Sequence, residues 1–241
     1  MAEMGLGYGS EFQLMRFLGH HRNYLNELIH DAANTNDTIE WLDFPPDNKR
    51  VSGDGEWKGI TCFKDRVEKE KYTEIKTKWK DFWPQSGTAM NWDGIFRIGN
   101  TWYFVEAKAH EAESYQKCNS KDENNKDKIS QAFNETQKWL GVNRSMNWIK
   151  TDCYQLANRL AFIYFCQYYC NIDAKLVYIG FINGFRLKVG EKFVGVKDEV
   201  RSEVDWKKVW DREIQTLGLN KKEVAPYVLY IHPDCLLPRM K

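Results

Sequence analysis

Asn91–His110, NWDGIFRIGNTWYFVEAKAH, reads as two strands joined by a tight turn. Trp92, Ile95, Phe96 and Ile98 precede a Gly99-Asn100 pair, a dipeptide suited to two-residue hairpin loops, and Trp102 to Val105 follow it. Such a loop fixes the register: Ile98 faces Thr101, Arg97 faces Trp102, Ile95 faces Phe104 and, at the open end, Asp93 faces Glu106. Side chains alternate across a strand, so Lys108 shares a face with Glu106, one step further on. One face of the ribbon is then apolar (Trp92, Phe96, Ile98, Tyr103, Val105, Ala107), while the other carries Ile95 and Phe104 and ends in three charges.

Two acids directly opposed have side-chain roots roughly 5 Å apart. At an effective dielectric of about 20 they repel by about 3 kcal/mol, which calls for an answering positive charge. Lys108 supplies part of it. A divalent cation would supply the rest, since Mg²⁺ is held by one or two carboxylates, waters and substrate phosphates. Glu-x-Lys alone carries little information, because the chain has it at Glu56/Lys58, Glu74/Lys76 and Glu106/Lys108. Only the third closes an apolar strand and has an Asp placed opposite by a turn. The structural alternative is an ion cluster at a sheet end.

Asp93, a hairpin and then Glu106-Ala107-Lys108 resemble the PD-(D/E)XK nuclease superfamily, which includes restriction endonucleases, Holliday-junction resolvases and RecB-type exonuclease domains. The resemblance covers roughly residues 10–190, and Trp92 stands where the family pattern often has Pro. It implies an α/β, restriction endonuclease-like core: a mixed central sheet with a β-hairpin carrying the site and helices on both faces. It further implies Asp93 and Glu106 as ligands of Mg²⁺, with Mn²⁺ as a substitute, and Lys108 as the group that positions the attacking water and steadies the phosphate. The segment Gly7-Tyr8-Gly9-Ser10-Glu11 is similar to the start of the first helix in resolvase-like members, where a Glu approaches the metal, so Glu11 is a third candidate ligand. A first-turn acid favoured by the helix dipole is the other reading of Glu11. In exonuclease-like relatives a polar group on a helix after the hairpin supports the site. Gln155 takes that place here, with a helix-capping role as its competitor. Arg159 is the phosphate candidate, because its fork suits phosphate oxygens. His110 could act as a general acid or touch substrate, and is otherwise a surface hydrogen-bonder.

At 241 residues, with 42% hydrophobic and 15% aromatic side chains, the chain can bury one sizeable core. Its 35 basic and 34 acidic residues leave a net charge of +1, which argues against a sequence-blind DNA coat and leaves room for a local basic groove. The opening MAEMGLGYGS lacks a basic and then apolar run, and the longest apolar stretch, around Leu160 to Cys170, is too short and polar to span a bilayer. A cytoplasmic protein without membrane association is expected. The cysteines at 62, 118, 153, 166, 170 and 235 form no CxxC pair, so zinc is not expected and reduced thiols are.

Ser10 and Gln13 predict a capping box for a helix reaching about Ile29. Thr38–Phe44 predicts a short strand stopped by Pro45-Pro46, and residues 47–61 are turn-rich. Lys64–Lys80, with seven basic and four acidic residues, fits either a solvated helix or a phosphate-contacting arm. Residues 116–128 fit a loop placed to close over substrate, or a disordered connector. Helices are predicted for Ile129–Leu140 and, with Asp152 and Gln155 as a capping box, onward to about Tyr169. Ala174–Ile182 reads as a buried strand that Asn183-Gly184 turns into Phe185–Val189. With neither linker nor repeat, residues 1–241 are expected to form a single domain, nuclease-like by the resemblance, with its core at about 10–190, on which a C-terminal helix and strand within 200–241 pack. The expectation is a metal-dependent nuclease hydrolysing phosphodiester bonds, with DNA as its partner and a homodimer as an assembly known in the superfamily. The rival is a non-catalytic binding or scaffold protein on the same fold.

Overall fold

The computed structural model describes residues 9–42, 56–87, 90–142, 146–184, 186–189, 192–195 and 199–236. The first half of the chain forms α1 (Ser10–His20), α2 (Arg22–Ala33), β1 (Ile39–Trp41), β2 (Trp57–Lys58), α3 (Lys69–Phe82), β3 (Asn91–Trp92), β4 (Gly94–Ile98) and β5 (Thr101–Lys108). The second half forms α4 (Glu123–Trp139), α5 (Tyr154–Tyr164), β6 (Ala174–Gly180), β7 (Arg186–Val189), β8 (Lys192–Gly195), α6 (Glu203–Thr216), α7 (Lys221–Val224) and β9 (Val228–Ile231). A five-stranded sheet runs β1-β4-β5-β6-β9. It is mixed, antiparallel from β1 to β5 and parallel from β5 to β9. β6, AKLVYIG, is buried along nearly its whole length, as a near-continuous apolar run must be when both faces of a strand are covered. The C-terminal segment supplies the fifth strand, with Leu176 opposite Val228 and Ile179 opposite Ile231, so it completes the sheet.

Helices cover both faces. On one side Leu14, Phe17 and Leu18 of α1 and Leu25 and Ile29 of α2 pack on Phe96, Tyr103, Val105 and Val177. On the other, Trp79 and Phe82 of α3, Phe133 of α4 and Leu160 and Phe162 of α5 pack on Ile95, Trp102, Phe104 and Leu176. Each such side chain removed from water contributes about 1.5–3 kcal/mol, and the hairpin has one on each side at almost every step.

The hairpin register is the expected one for Ile98↔Thr101, Arg97↔Trp102 and Ile95↔Phe104, ending at Gly94↔Val105. It does not continue to Asp93 opposite Glu106. The Asp93 N–H donates to Val105 O at 3.2 Å, which inserts an extra residue in the manner of a β-bulge. A one-residue slip sends the following side chain to the other face. Trp92 therefore leaves the Phe96 side and lies 5.0 Å from Phe104 and 4.9 Å from Phe162 by ring centroids. The bulge also frees β3 to pair with β2, Trp92 opposite Trp57.

Several other expectations are corrected. The helix to Ile29 breaks at His21 (φ −132°, ψ 30°), and Gly9 rather than Ser10 is its N-cap. Gln13 is buried and donates to Gly184 O at 3.1 Å, a bond that takes it away from capping. Cys153, not Asp152, precedes α5, with no side-chain cap. α4 begins at Glu123, capped by Asp122, so half of the supposed loop before Ile129 is helical. β7 pairs with β8 rather than folding back on β6. Of the α3 lysines, Lys71 and Lys78 donate to the carbonyls of Cys170 and Tyr169, both at 2.7 Å, satisfying the end of the π-helical turn after α5. The Asp43–Phe44 end of the expected strand, its Pro45-Pro46 stop, and Phe185 lie outside the described residues.

Gly180 is opposite Lys108 in the β5–β6 pairing, and a Cβ there would come within 2.6–2.9 Å of the Trp206 ring. Trp206 is fully buried and cannot retreat, so Gly180→Ala is expected to cost about 1–3 kcal/mol by overpacking. A urea melt reads this directly. An unchanged midpoint would mean that α6 is not held against β6.

Candidate active site

The C-terminal end of β5 carries Glu106 and Lys108 on one face, both buried (2% and 4% exposed). Lys108 Nζ donates to Glu106 Oε1 at 2.5 Å and to Gln155 Oε1 at 2.7 Å. An ammonium can only donate, so it is the carbonyl of Gln155 that faces it. Arg159 Nε donates to Glu106 Oε2 at 2.6 Å and its Nη1 to Asn158 Oδ1 at 2.9 Å, with the guanidinium 4.7 Å from the Trp92 ring centre. Both oxygens of Glu106 thus meet a cation. Gln155 and Arg159 are one helical turn apart on α5, which presents them together.

Asp93 approaches this group from the bulge, where Oδ2 accepts from the Ala107 N–H at 2.7 Å. Burial, then the negative charge of Glu106, pushes the Asp93 carboxyl up to about 8, against the pull of Lys108 and the Ala107 N–H. Burial would raise Glu106 as well, but Arg159 and Lys108 outweigh it and hold its carboxyl below the usual range. One acid that keeps a proton beside another that has lost it is the asymmetry found where acid–base work is divided.

The two acids could hold a divalent cation. Among the described residues no group of three or more His, Cys, Asp or Glu is arranged to do so, which leaves a two-carboxylate site with Lys108 displaced from Glu106 Oε1. Glu11 is exposed in the first turn of α1. Leu14, one turn on, reaches Gly94, so α1 starts beside the bulge without placing Glu11 among the residues that line the cleft described below. His110 is 3.4 Å from Glu113 Oε1 and is also outside the cleft. Glu113 Oε2 in turn accepts from the Ala109 N–H at 2.6 Å, tying the whole turn to the strand end.

Asp93, Gln155, Asn158 and Arg159 open into a cleft of about 770 Å³. One wall is formed by residues of 83–87 and 90–93, the other by residues of 116–129, and α5 forms the back. Glu56 joins this lining, accepts from Asn91 Nδ2 at 2.5 Å and adds to the field that raises Asp93. In the sequence Glu56 is one more Glu-x-Lys, and the β2–β3 pairing that brings it in depends on the bulge. A second acid unseen in the sequence pattern is Glu213 of α6, pushed up to about 8 mainly by burial. It accepts from the Tyr178 hydroxyl at 3.2 Å, and Tyr178 pairs with Glu106 across β5–β6.

A raised carboxyl stabilises the fold below its unfolded value, near 3.8 for Asp93, and that contribution is lost as pH rises through about 8. Asp93→Asn keeps an oxygen for the Ala107 N–H without the ionisation. In EDTA its melting temperature is expected to fall less than that of the unaltered protein as pH is raised through about 8, with Glu213 supplying the remaining slope. Parallel curves would remove Asp93 as the titrating group.

A scan against protein-family models, a search of curated proteins and a search of solved structures each return no match.

Proposed function

We propose that this protein is a metal-dependent nuclease that hydrolyses phosphodiester bonds, with DNA as its substrate, on a restriction endonuclease-like core of the PD-(D/E)XK type. The observation that carries the reading is the meeting of Asp93, Glu106 and Lys108 at the end of β5, beside a cleft lined by polar side chains. A resident Mg²⁺ or Mn²⁺ would lower the pKa of a bound water and neutralise phosphate charge. Asp93 and Glu106 would hold it. Arg159 fixes one oxygen of Glu106 and stacks over Trp92, so the carboxylate is oriented before substrate arrives. Gln155, which lines the cleft, holds Lys108 through Oε1. Lys108 and Glu106 are not themselves among the lining residues, and, reached past Gln155, the ammonium would orient a water and meet the charge that develops on phosphate.

The second reading, a non-catalytic binding or scaffold protein, rests on one specific observation. Both Glu106 oxygens are already satisfied by Lys108 and Arg159, so the cluster is complete as a structural ion group. Calorimetry with Mn²⁺ separates the two readings. The nuclease reading expects binding that weakens at least tenfold in Asp93→Asn, and a self-satisfied cluster expects no heat.

A further inference from the structure

Amide side chains line the cleft, Asn91 on one wall, Gln116, Asn119 and Asn125 on the other and Gln155 at the back, beside the acids Glu56, Asp93 and Asp122. A primary amide offers both donor and acceptor, the chemistry that matches base edges rather than phosphates. Asn91, Asn125 and Gln155 spend part of theirs on Glu56, Ser86 and Lys108, while Gln116 and Asn119 are exposed. Two exposed lysines, Lys117 and Lys121, stand on the 116–122 wall. Tyr154 adds an aromatic ring at the back, half-buried and held edge-on by Phe133 at 5.7 Å.

The walls are also tied together. Asn125 Nδ2 donates to Ser86 Oγ at 3.1 Å, joining the start of α4 to the segment after α3, and both residues line the cleft. A B-form duplex, whose major groove alone is about 12 Å wide, does not fit between walls bridged by one side-chain contact. A volume of about 770 Å³ suits one or two nucleotides of an unpaired strand.

We infer that the cleft takes nucleic acid as a single strand, with an unpaired base against Tyr154 and its edge read by the amide walls. This rests on the nuclease reading for its chemistry but not for its binding. Among the described residues Lys117 and Lys121 are the lysines lining the cleft, so the affinity should depend weakly on salt, with a logarithmic slope of about −1.4 at roughly 0.7 per contact. The near-neutral net charge accords with that.

The test is fluorescence anisotropy with full-length Asp93→Asn protein in EDTA, using a labelled 12-nucleotide DNA strand alone or annealed to its complement. The single strand is expected to bind at least tenfold more tightly. Tyr154→Leu on that background should weaken it about tenfold through lost stacking. Because Tyr154 also packs in the core, the surface double variant Lys117→Ala/Lys121→Ala provides a second arm, bringing the salt slope close to zero. Duplex binding as tight as single-strand binding, or an unchanged affinity and slope in both variants, overturns the inference. Lys108-dependent cutting of duplex but not single strand would sink this proposal and leave the nuclease reading standing. Tight single-strand binding by a protein that cuts nothing would do the reverse.

Discussion

Replacing Lys108 with Ala is expected to lower metal-dependent cleavage of DNA by about 10²–10³-fold, the usual cost of removing one preorganised donor from a developing charge. Two features make Lys108 the residue to change. It is 4% exposed, so its ammonium is in a place where an electrostatic contact is poorly screened. It is also held by Gln155 Oε1, a contact that remains when a metal takes Glu106 Oε1, so its position costs little to organise at the moment of reaction. Glu106 stays paired with Arg159 in the variant, and the fold should survive. Lys108→Met, which keeps the alkyl stem and loses the charge, should match Lys108→Ala in rate and exceed it in melting temperature. Gln155→Ala should fall between the variants and the unaltered protein, because it loosens the ammonium without removing it. A folded Lys108→Ala protein that cuts as fast as the unaltered one would exclude the proposed role.

Much of the frame was legible because the hairpin is governed by local rules. Gly99 takes φ 56°, as a tight two-residue turn requires, and from it the register follows to Gly94↔Val105. The reading failed one residue later, where the backbone adds a step that side-chain alternation cannot reveal. Trp92 fits either face by hydrophobicity, and only tertiary packing against Phe104 and Phe162 chooses. Gln155 was ambiguous between cap and site for a related reason. Both roles need a polar side chain early in a helix, and the choice depends on a buried ammonium far away in sequence, which here takes the Gln155 carbonyl. Arg159 shows the limit most clearly. Its fork suits phosphate and the side chain does line the cleft, but its Nε and Nη1 bond Glu106 and Asn158, partners that no spacing rule joins to it.

Arg159→Ala is accordingly expected to destabilise the protein by about 3–5 kcal/mol, the cost of leaving one member of a buried pair alone. At about 2–4 °C per kcal/mol for a domain of this size, the melting temperature should fall by about 10 °C. Three losses combine: the bond to Glu106 Oε2, the bond to Asn158 and the contact over the Trp92 ring. The pH dependence identifies the first. Glu106 is held low in the unaltered protein, so its contribution to stability is present above the unfolded value of about 4.5 and is lost as pH falls. Without Arg159, burial is opposed by Lys108 alone, the carboxyl rises, and the variant should regain part of the deficit on acidification. Arg159→Lys restores charge without the fork or the flat stacking surface, and should recover less than half of the loss. The double variant Arg159→Met/Glu106→Gln removes both charges of that pair and leaves the Lys108 ammonium on amide oxygens, so it should lose less than the sum of the two single changes. If the double variant instead loses the sum of the two single changes, Arg159 and Glu106 act independently and Glu106 is oriented by Lys108 alone.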